Sequence, residues 1–486
     1  MCAARARYKV TGQRGTGLAD ILKPDICVIG GGAGGRAVVE TARAADASVA
    51  LVATDLLDDS GRIAAAALGA SAARADLLRH SESLGFPAHE PEIDFDRILA
   101  HMRETVAGSA LRVSEERLVA LGALVIRSQP RFIDRNTLDA DGTLIRARRF
   151  VIATGSRPAV PDLPGLDGSV FFTPDTLIEL AELPRHLIVL GGGGTGLALA
   201  QAYLRLGAEV TVIDTREPLG EEDPELAAVV LRRLAQEGLS LHAHTGVVAI
   251  RASSDGVAID LKAGADEWTL EGTHLLVATG RAPDLDGLGL ETARIRSTPE
   301  GIAVNAGLRT SNRKVYAIGE AIGAAASADH QARLVTRNAL LGHRIPRDTL
   351  DRVARATFTD PEIAHVGLTE AAARTRTRQR YQVLRWPYAE NARARALGHN
   401  EGMAKLVTDS RGTLMGASIA GPQARETIAL FAYAIANGLK APSLAQLGAV
   451  SPSLAEIAQR IGVEQERKAQ DGARTARRLR FNRLLP

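Results

Sequence analysis

The sequence predicts an α/β protein with two Rossmann-like dinucleotide-binding units, and two glycine-rich motifs carry this prediction. The apolar run Ile26–Ile29 precedes Gly30-Gly31-Gly32-Ala33-Gly34-Gly35, and an alanine-rich helical stretch follows. The apolar run Leu187–Leu190 precedes Gly191-Gly192-Gly193-Gly194-Thr195-Gly196 and a second helical stretch. Glycines at the GxGxxG spacing permit a tight turn from strand to helix, and the free N–H groups of the helix then face a pyrophosphate. Two copies in the same strand–turn–helix context are poorly explained by ordinary tight turns.

The first glycine motif assigns Gly30, Gly32 and Gly35 to the binding of one dinucleotide. An acidic residue at the end of the next strand usually accepts hydrogen bonds from a ribose. That position is Ala53 here, and Asp55 lies two residues later. Asp55 would replace the missing carboxylate only if the loop bends back.

The second glycine motif assigns Gly191, Gly193 and Gly196 to another dinucleotide. Asp214 closes the following strand, where a carboxylate accepts hydrogen bonds from both ribose hydroxyls of NAD(H). This unit is therefore predicted to prefer NAD(H). Arg216 lies nearby and leaves NADP(H) open as an alternative.

Composition excludes several classes of function. The 486 residues suggest about three domains. A formal net charge of +3 gives no support for a nucleic-acid partner. Two cysteines, Cys2 and Cys27, argue against a disulfide framework or a thiolate metal site, and no metal-ligand spacing occurs. The absence of a long apolar stretch predicts that no helix spans a membrane, and a cytoplasmic location is expected.

Further motifs fall at family-specific positions: two matching ATG turns, Ala153-Thr154-Gly155 and Ala278-Thr279-Gly280-Arg281, the segment Ala317-Ile318-Gly319-Glu320, and Phe358-Thr359-Asp360-Pro361-Glu362. With these motifs, the sequence from Lys23 to Gly462 resembles the pyridine nucleotide–disulfide oxidoreductases, a family that includes dihydrolipoamide dehydrogenase and mercuric reductase.

The resemblance implies two Rossmann-like domains, for FAD and NAD(P), and a C-terminal α+β dimerisation domain that makes a homodimer. The FAD domain is expected at residues 24–158 and 281–350, the NAD(P) domain at 159–280 and the interface domain at 351–466. A basic extension, 1–23, precedes them, and a basic tail, 467–486, follows. We expect this tail to be disordered; the alternative is peripheral contact with anionic lipid.

The resemblance also implies the cofactor-binding residues outside the glycine motifs: Ala153, Thr154, Gly155, Gly319, Glu320, Gly280 and Arg281. Glu320 stands where the family normally has aspartate.

The departures from the family decide the expected chemistry. Aligned on Gly69, the redox cysteine pair maps to Ala65 and Ala70, which have no nucleophile. The catalytic histidine maps to Ser451, while the glutamate that pairs with it is retained as Glu456.

A further departure concerns the lysine–glutamate pair that the family places beside the flavin. Arg74 and Ala198 occupy these two positions. Arg74 is interpreted as a cation near the flavin, and the alternative is a surface arginine with a solvated head.

The sequence thus predicts an FAD-dependent NAD(P)H oxidoreductase that reduces a small non-disulfide acceptor such as a quinone. Ser451 and Glu456 of the partner subunit would line the acceptor side. Two alternatives stay open. One is a soluble pyridine nucleotide transhydrogenase, although Asp214 would repel a 2′-phosphate. The other is a catalytically weak sensor or pseudoenzyme that binds nucleotides.

Overall fold

The structure is a computed structural model that describes residues 21–56, 60–110, 114–324, 328–342, 352–376 and 380–470. The first part of the chain forms nine strands and four α-helices within those residues. They are β1 (Ile21–Leu22), β2 (Ile26–Ile29), α1 (Ala33–Ala44), β3 (Val49–Ala53), α2 (Ser60–Arg79), α3 (Phe95–Ala110), α4 (Glu115–Ala120), β4 (Leu124–Arg127), β5 (Pro130–Phe132), β6 (Leu138–Ala140), β7 (Thr143–Ile145), β8 (Arg149–Ile152) and β9 (Ser156–Pro158).

The second part of the chain forms another unit, in which strands again alternate with helices at first. Its elements are β10 (His186–Leu190), α5 (Gly194–Arg205), β11 (Glu209–Ile213), α6 (Pro224–Gln236), β12 (Ser240–His242), β13 (Gly246–Ser253), β14 (Gly256–Ala263), β15 (Asp266–Gly272) and β16 (His274–Val277). The parallel sheet has the order β12-β11-β10-β16, and β13-β14-β15 form a separate antiparallel sheet.

The chain then returns to the first unit. The returning elements are β17 (Arg281–Pro283), β18 (Ser297–Thr298), β19 (Gly301–Ile302), β20 (Val315–Ala317) and α7 (Ala328–Leu341). Strand β20 completes the parallel sheet β20-β8-β2-β3-β4. The four residues of β2 are fully buried, because α1 and α7 cover one face of this sheet and the sheet β1-β7-β6-β5 covers the other. A parallel strand covered on both faces has this continuous apolar sequence.

Two short strands connect the units. Strands β9 and β17 pair antiparallel, with Arg281 opposite Pro158. Each strand begins shortly after one of the ATG turns, so the predicted domain boundaries at 158 and 281 fall within this pair.

The last part of the described chain forms an α+β unit. Its elements are β21 (Arg355–Thr357), β22 (Glu362–Gly367), α8 (Glu370–Arg376), β23 (Tyr381–Pro387), α9 (Ala392–Ala396), β24 (Met403–Asp409), β25 (Leu414–Gly421), α10 (Ala424–Ala436) and α11 (Glu456–Gln470). The antiparallel sheet has the order β21-β22-β25-β24-β23, and α10 and α11 contribute side chains to its core.

A buried ionic cluster joins all three units. Arg205 at the end of α5 is 5% exposed, and its Nη2 lies 2.6 Å from Glu237 Oε1 while Nη1 lies 2.9 Å from Asp360 Oδ2. Asp76 of α2 lies 3.6 Å from Arg205 and 3.3 Å from Arg233. The cluster therefore connects α2 with α5, α6 and the loop before β22.

Five 3-10 helices complete the described secondary structure: Ser81–Leu84, Leu177–Glu179, Gly319–Ile322, Tyr388–Glu390 and Ala441–Gln446. Among the described helices, none is both long and apolar enough to cross a bilayer. Of the predicted extension 1–23 and tail 467–486, residues 1–20 and 471–486 lie outside the described residues. The described parts of these segments differ from the expectation, since Ile21–Leu22 form β1 of the first unit and residues 467–470 continue α11.

Candidate active site

The first glycine motif forms a close turn between β2 and α1. Gly30 has φ +112°, and a Cβ on it would lie 2.2 Å from the carbonyl oxygen of Ala153. A Cβ on Gly35 would lie 2.0 Å from the carbonyl oxygen of Gly30. Gly32 caps α1, whose first turn has no acidic residue. The helix N-terminus is thus shaped and charged to receive a pyrophosphate.

Asp55 lies beside this turn because the loop after β3 bends back. Its carbonyl oxygen would be 2.2 Å from a Cβ on Gly31, and its carboxylate accepts the N–H of Leu56 at 2.6 Å. Arg36 of α1 fixes the loop by donating to the carbonyls of Gly31 and Leu56, at 3.0 and 2.9 Å. The backbone of Asp55 thus lies against the glycine turn, and contact of its carboxylate with a ribose stays a prediction.

Two buried polar atoms in this region have no protein partner among the described residues, namely Thr154 Oγ1 and Gln331 Nε2. Gln331 is fully buried, and its Oε1 accepts the N–H of Gly319 at 2.6 Å. Buried polar atoms without a partner are rare and suggest a bound group. Together with the glycine turn, these residues fit FAD. Gln331 was not among the predicted site residues, and its separation of 12 residues from Gly319 does not by itself show that the two meet.

Glu320 belongs to a hydrogen-bonded group at the junction of the two dinucleotide units. The Ser156 hydroxyl donates to the Glu320 carboxylate, and Arg281 Nε donates to Ser156 Oγ at 2.6 Å. Arg281 Nη1 lies 2.8 Å from Asp175 Oδ1. Because Ser156 and Arg281 stand on β9 and β17, the strand pair holds Glu320 in place. Ser156 and Asp175 were not among the predicted site residues.

The second glycine motif repeats the geometry of the first. Gly191 has φ +113°, and a Cβ on it would lie 2.4 Å from the carbonyl oxygen of Ala278. A Cβ on Gly196 would lie 2.1 Å from the Gly191 carbonyl oxygen, and Gly193 caps α5. The Asp214 carboxylate accepts the N–H of Gly192 at 2.7 Å and that of Arg216 at 2.8 Å. Asp214 is therefore fixed beside the turn, and its contact with a ribose stays a prediction.

A cavity of about 1300 Å³ joins this motif to the Glu320 group. It brings together six of the predicted residues: Gly191, Gly193, Asp214, Gly280, Arg281 and Glu320. Its size suits a dinucleotide that runs from Asp214 toward the junction.

Helix α2 carries Ala65 and Ala70, and it is a regular helix through both positions. Helical geometry places Cα atoms five residues apart at about 8.7 Å. A disulfide needs Cα atoms about 4.4–6.8 Å apart. The backbone of α2 is thus not arranged for a disulfide between these positions, whatever side chains they carry.

Comparison with known proteins identifies the family. A family model described as pyridine nucleotide-disulphide oxidoreductase matches residues 24–340, and the dimerisation-domain model of the same family matches residues 353–461. The chain belongs to the pyridine nucleotide-disulphide oxidoreductase family. Members of this family use FAD and NAD(P)H, and the dimerisation domain supports a homodimer.

Relatives in this family match over nearly the whole chain. A mercuric reductase of Streptomyces lividans is 32% identical over 441 residues, covering 87% of this chain and 92% of the relative. A dihydrolipoyl dehydrogenase of Geobacillus stearothermophilus is 31% identical, and the match covers 90% of this chain and 95% of the relative. The crystal structure of LpdA from Mycobacterium tuberculosis has a TM-score of 0.82 at 27% identity, covering 90% of this chain and 99% of that one. The predicted fold class and cofactors are confirmed.

Arg74 is an exposed residue of α2, and Ala198 is a half-buried residue of α5, the helix against which α2 packs. Arg74 forms no ion pair with another described residue of the same subunit. The role of Arg74 as a cation beside the flavin stays a prediction.

Glu456, the acid that the family pairs with histidine, has a local structural role here. It is 7% exposed, and its carboxylate accepts the N–H of Ser453 at 3.1 Å. This is half of a capping box, S-x-x-E, at the start of α11. Ser451 is exposed two residues before Ser453. The S-x-x-E spacing was visible in the sequence, and it gives Glu456 a structural role that does not require the histidine.

Proposed function

We propose that the protein is an FAD-dependent NAD(P)H oxidoreductase that passes electrons to a small non-disulfide acceptor such as a quinone. The supporting observation is helix α2, which has a regular backbone and carries alanine at positions 65 and 70, to which the resemblance assigns the redox cysteines. Bound FAD would supply the redox chemistry, since it takes hydride from NAD(P)H and releases electrons to a second substrate.

The chain's own groups would bind and orient the nucleotide. Asp214, fixed by two backbone N–H groups, would accept hydrogen bonds from the adenosine ribose, and the N-terminus of α5 would face the pyrophosphate. The cavity then leads to Arg281 and Glu320 at the junction of the units. Holding the two rings in contact is the main contribution that a protein makes to hydride transfer.

The acceptor would need no thiol chemistry. Cys27 is the one cysteine among the described residues, and it is fully buried in the central strand β2, where burial raises the pKa of its thiol. With Ser451 in place of the imidazole, the acceptor would take its protons from solvent. Quinones meet both conditions. We further propose that Ser451 and Glu456 of the partner subunit line the acceptor side, and that the protein acts in the cytoplasm, where NAD(P)H is supplied.

A transhydrogenase is a weaker candidate. Such an enzyme must bind NADPH as well as NADH in one site, and the Asp214 carboxylate would repel a 2′-phosphate.

Anaerobic spectroscopy tests the proposal. The FAD-loaded protein is titrated with NADH, and the absorbance of oxidised flavin should be lost without a long-wavelength thiolate–flavin band. Steady-state turnover with a benzoquinone should follow, and lipoamide should give none. Flavin that neither NADH nor NADPH reduces would contradict the proposal and favour a sensor, as would reduction without turnover of any quinone.

A further inference from the structure

A second cavity, of about 340 Å³, lies at the opposite end of the FAD-domain sheet. Arg149 is the first residue of β8 and lies at this end of the sheet. Thr154 follows the other end of the strand, and extended chain of this length places it about 15 Å from Arg149. The cavity is therefore separate from the turn that binds the dinucleotide. The C-terminus of α7 and the turn from Asn305 to Arg309 form its other walls.

Among the described residues that line this cavity, the charged ones are Arg149 and Arg309, and none carries a carboxylate. Arg149 donates one hydrogen bond, from Nη1 to the Arg148 carbonyl at 2.9 Å, and its buried Nε has no partner among the described residues. Within the same residues, no ion pair is formed by either arginine. This N–H is a donor that the described residues leave unsatisfied.

The neighbouring polar groups add donors. Tyr316 is 3% exposed, and its hydroxyl lies 3.5 Å from Asn338 Oδ1, which is too long for a strong O–H···O bond. Asn305 Oδ1 accepts the N–H groups of Gly307 and Arg309, at 2.9 and 3.1 Å, so its Nδ2 is left as a donor. Gly307 lets Asn338 approach closely, because a Cβ there would lie 2.8 Å from Asn338 Nδ2.

We propose that this cavity is a binding site for the phosphate group of a small metabolite. Two arginines balance the charge of a phosphate dianion better than that of a carboxylate monoanion, and the guanidinium fork matches phosphate oxygens. The cavity volume is enough for a phosphate and a small organic substituent. The site does not depend on the proposed redox function.

Calorimetric titration of the FAD-loaded protein with inorganic phosphate tests the site. Saturating NAD⁺ is included so that the nucleotide cavity does not contribute, and the ionic strength is held constant. The variants are Arg149→Gln and Arg309→Gln, with Arg148→Gln as the matched control, since Arg148 is an exposed neighbour outside the lining. Arg309 is exposed, so Arg309→Gln should fold normally. It therefore tests the site even if Arg149→Gln fails to fold.

We expect one phosphate per chain, bound about tenfold or more weakly in each lining variant, as loss of a charge-assisted hydrogen bond implies. The control should change the affinity less than twofold, and acetate should bind more weakly than phosphate. The proposal is overturned if the wild type gives no binding heat. It is equally overturned if the lining variants match Arg148→Gln, or if acetate binds as well as phosphate.

Discussion

Replacement of Arg205 by methionine should strongly destabilise the protein, because Arg205 is the buried centre of the ionic cluster that joins the three units. Three carboxylates surround it, those of Asp76, Glu237 and Asp360. Arg205→Met leaves Arg233 as the one guanidinium of this cluster. Removal of one partner from a buried ion pair costs about 3–5 kcal/mol. Asp360 is 39% exposed, so water relieves part of the penalty, and we expect about 3 kcal/mol.

Guanidinium denaturation measures this loss, with the fluorescence of Trp268 and Trp386 reporting on two different units. The matched control is Arg232→Met, since Arg232 is exposed on α6 beside Arg233. This control should change the free energy of unfolding by less than about 0.5 kcal/mol. Arg205→Lys should fall between the two, because it keeps the charge and loses the fork. Equal stability of Arg205→Met and Arg232→Met would refute the reasoning.

Three further predictions concern the site and its pH dependence. In the double variant Ala65→Cys/Ala70→Cys, both thiols should stay titratable with a thiol reagent after mild oxidation, because regular α2 holds their Cα atoms about 8.7 Å apart. Asp214→Ala should raise KM for NADH about tenfold in steady-state assays and affect NADPH less, since a hydrogen bond to a charged group is lost. Burial, helped by the charge of Arg355, lowers the pKa of His365 to about 4. In the unfolded chain the pKa of a histidine is about 6.5, so between pH 6.5 and 4 this side chain is protonated when the protein is unfolded and neutral when it is folded. The free energy of unfolding should therefore fall by roughly 3 kcal/mol as the pH drops from 6.5 to 4.

Each of these predictions has an outcome that would contradict it. Loss of both thiols on oxidation, with single-cysteine variants unaffected, would mean that α2 distorts readily. An unchanged KM for NADH would place the ribose away from Asp214. For His365, the variant His365→Gln should show a flatter pH dependence of stability over this range, and an unchanged slope would assign the effect to other groups.

Local sequence patterns predicted the parts of the fold that depend on nearby residues. Gly30 and Gly191 each sit in a turn with positive φ against an ATG segment, and both turns were recognisable from spacing alone. The capping box of Ser453 and Glu456 is equally local, so its S-x-x-E spacing could have been used to assign Glu456 a structural role.

Contacts between distant segments could not be predicted in this way. Ser156 and Glu320 are 164 positions apart, and their hydrogen bond forms because the fold brings β9 beside the 3-10 helix Gly319–Ile322. Arg205 meets Asp76 and Asp360 through the packing of three units, which no spacing in the sequence encodes. The cavity at Arg149 likewise forms from a strand end, a turn and a helix end that are far apart in the chain.

The burial of Cys27 bears on the conditions under which this protein can work. Peroxide, hypochlorite and alkylating agents attack accessible thiolates first. Among the described residues, the thiol of Cys27 is buried between two layers of the first unit, and α2 has alanine at positions 65 and 70. If the proposed transfer of electrons to a non-disulfide acceptor is right, the activity should continue in oxidant concentrations that inactivate reductases with a catalytic thiol.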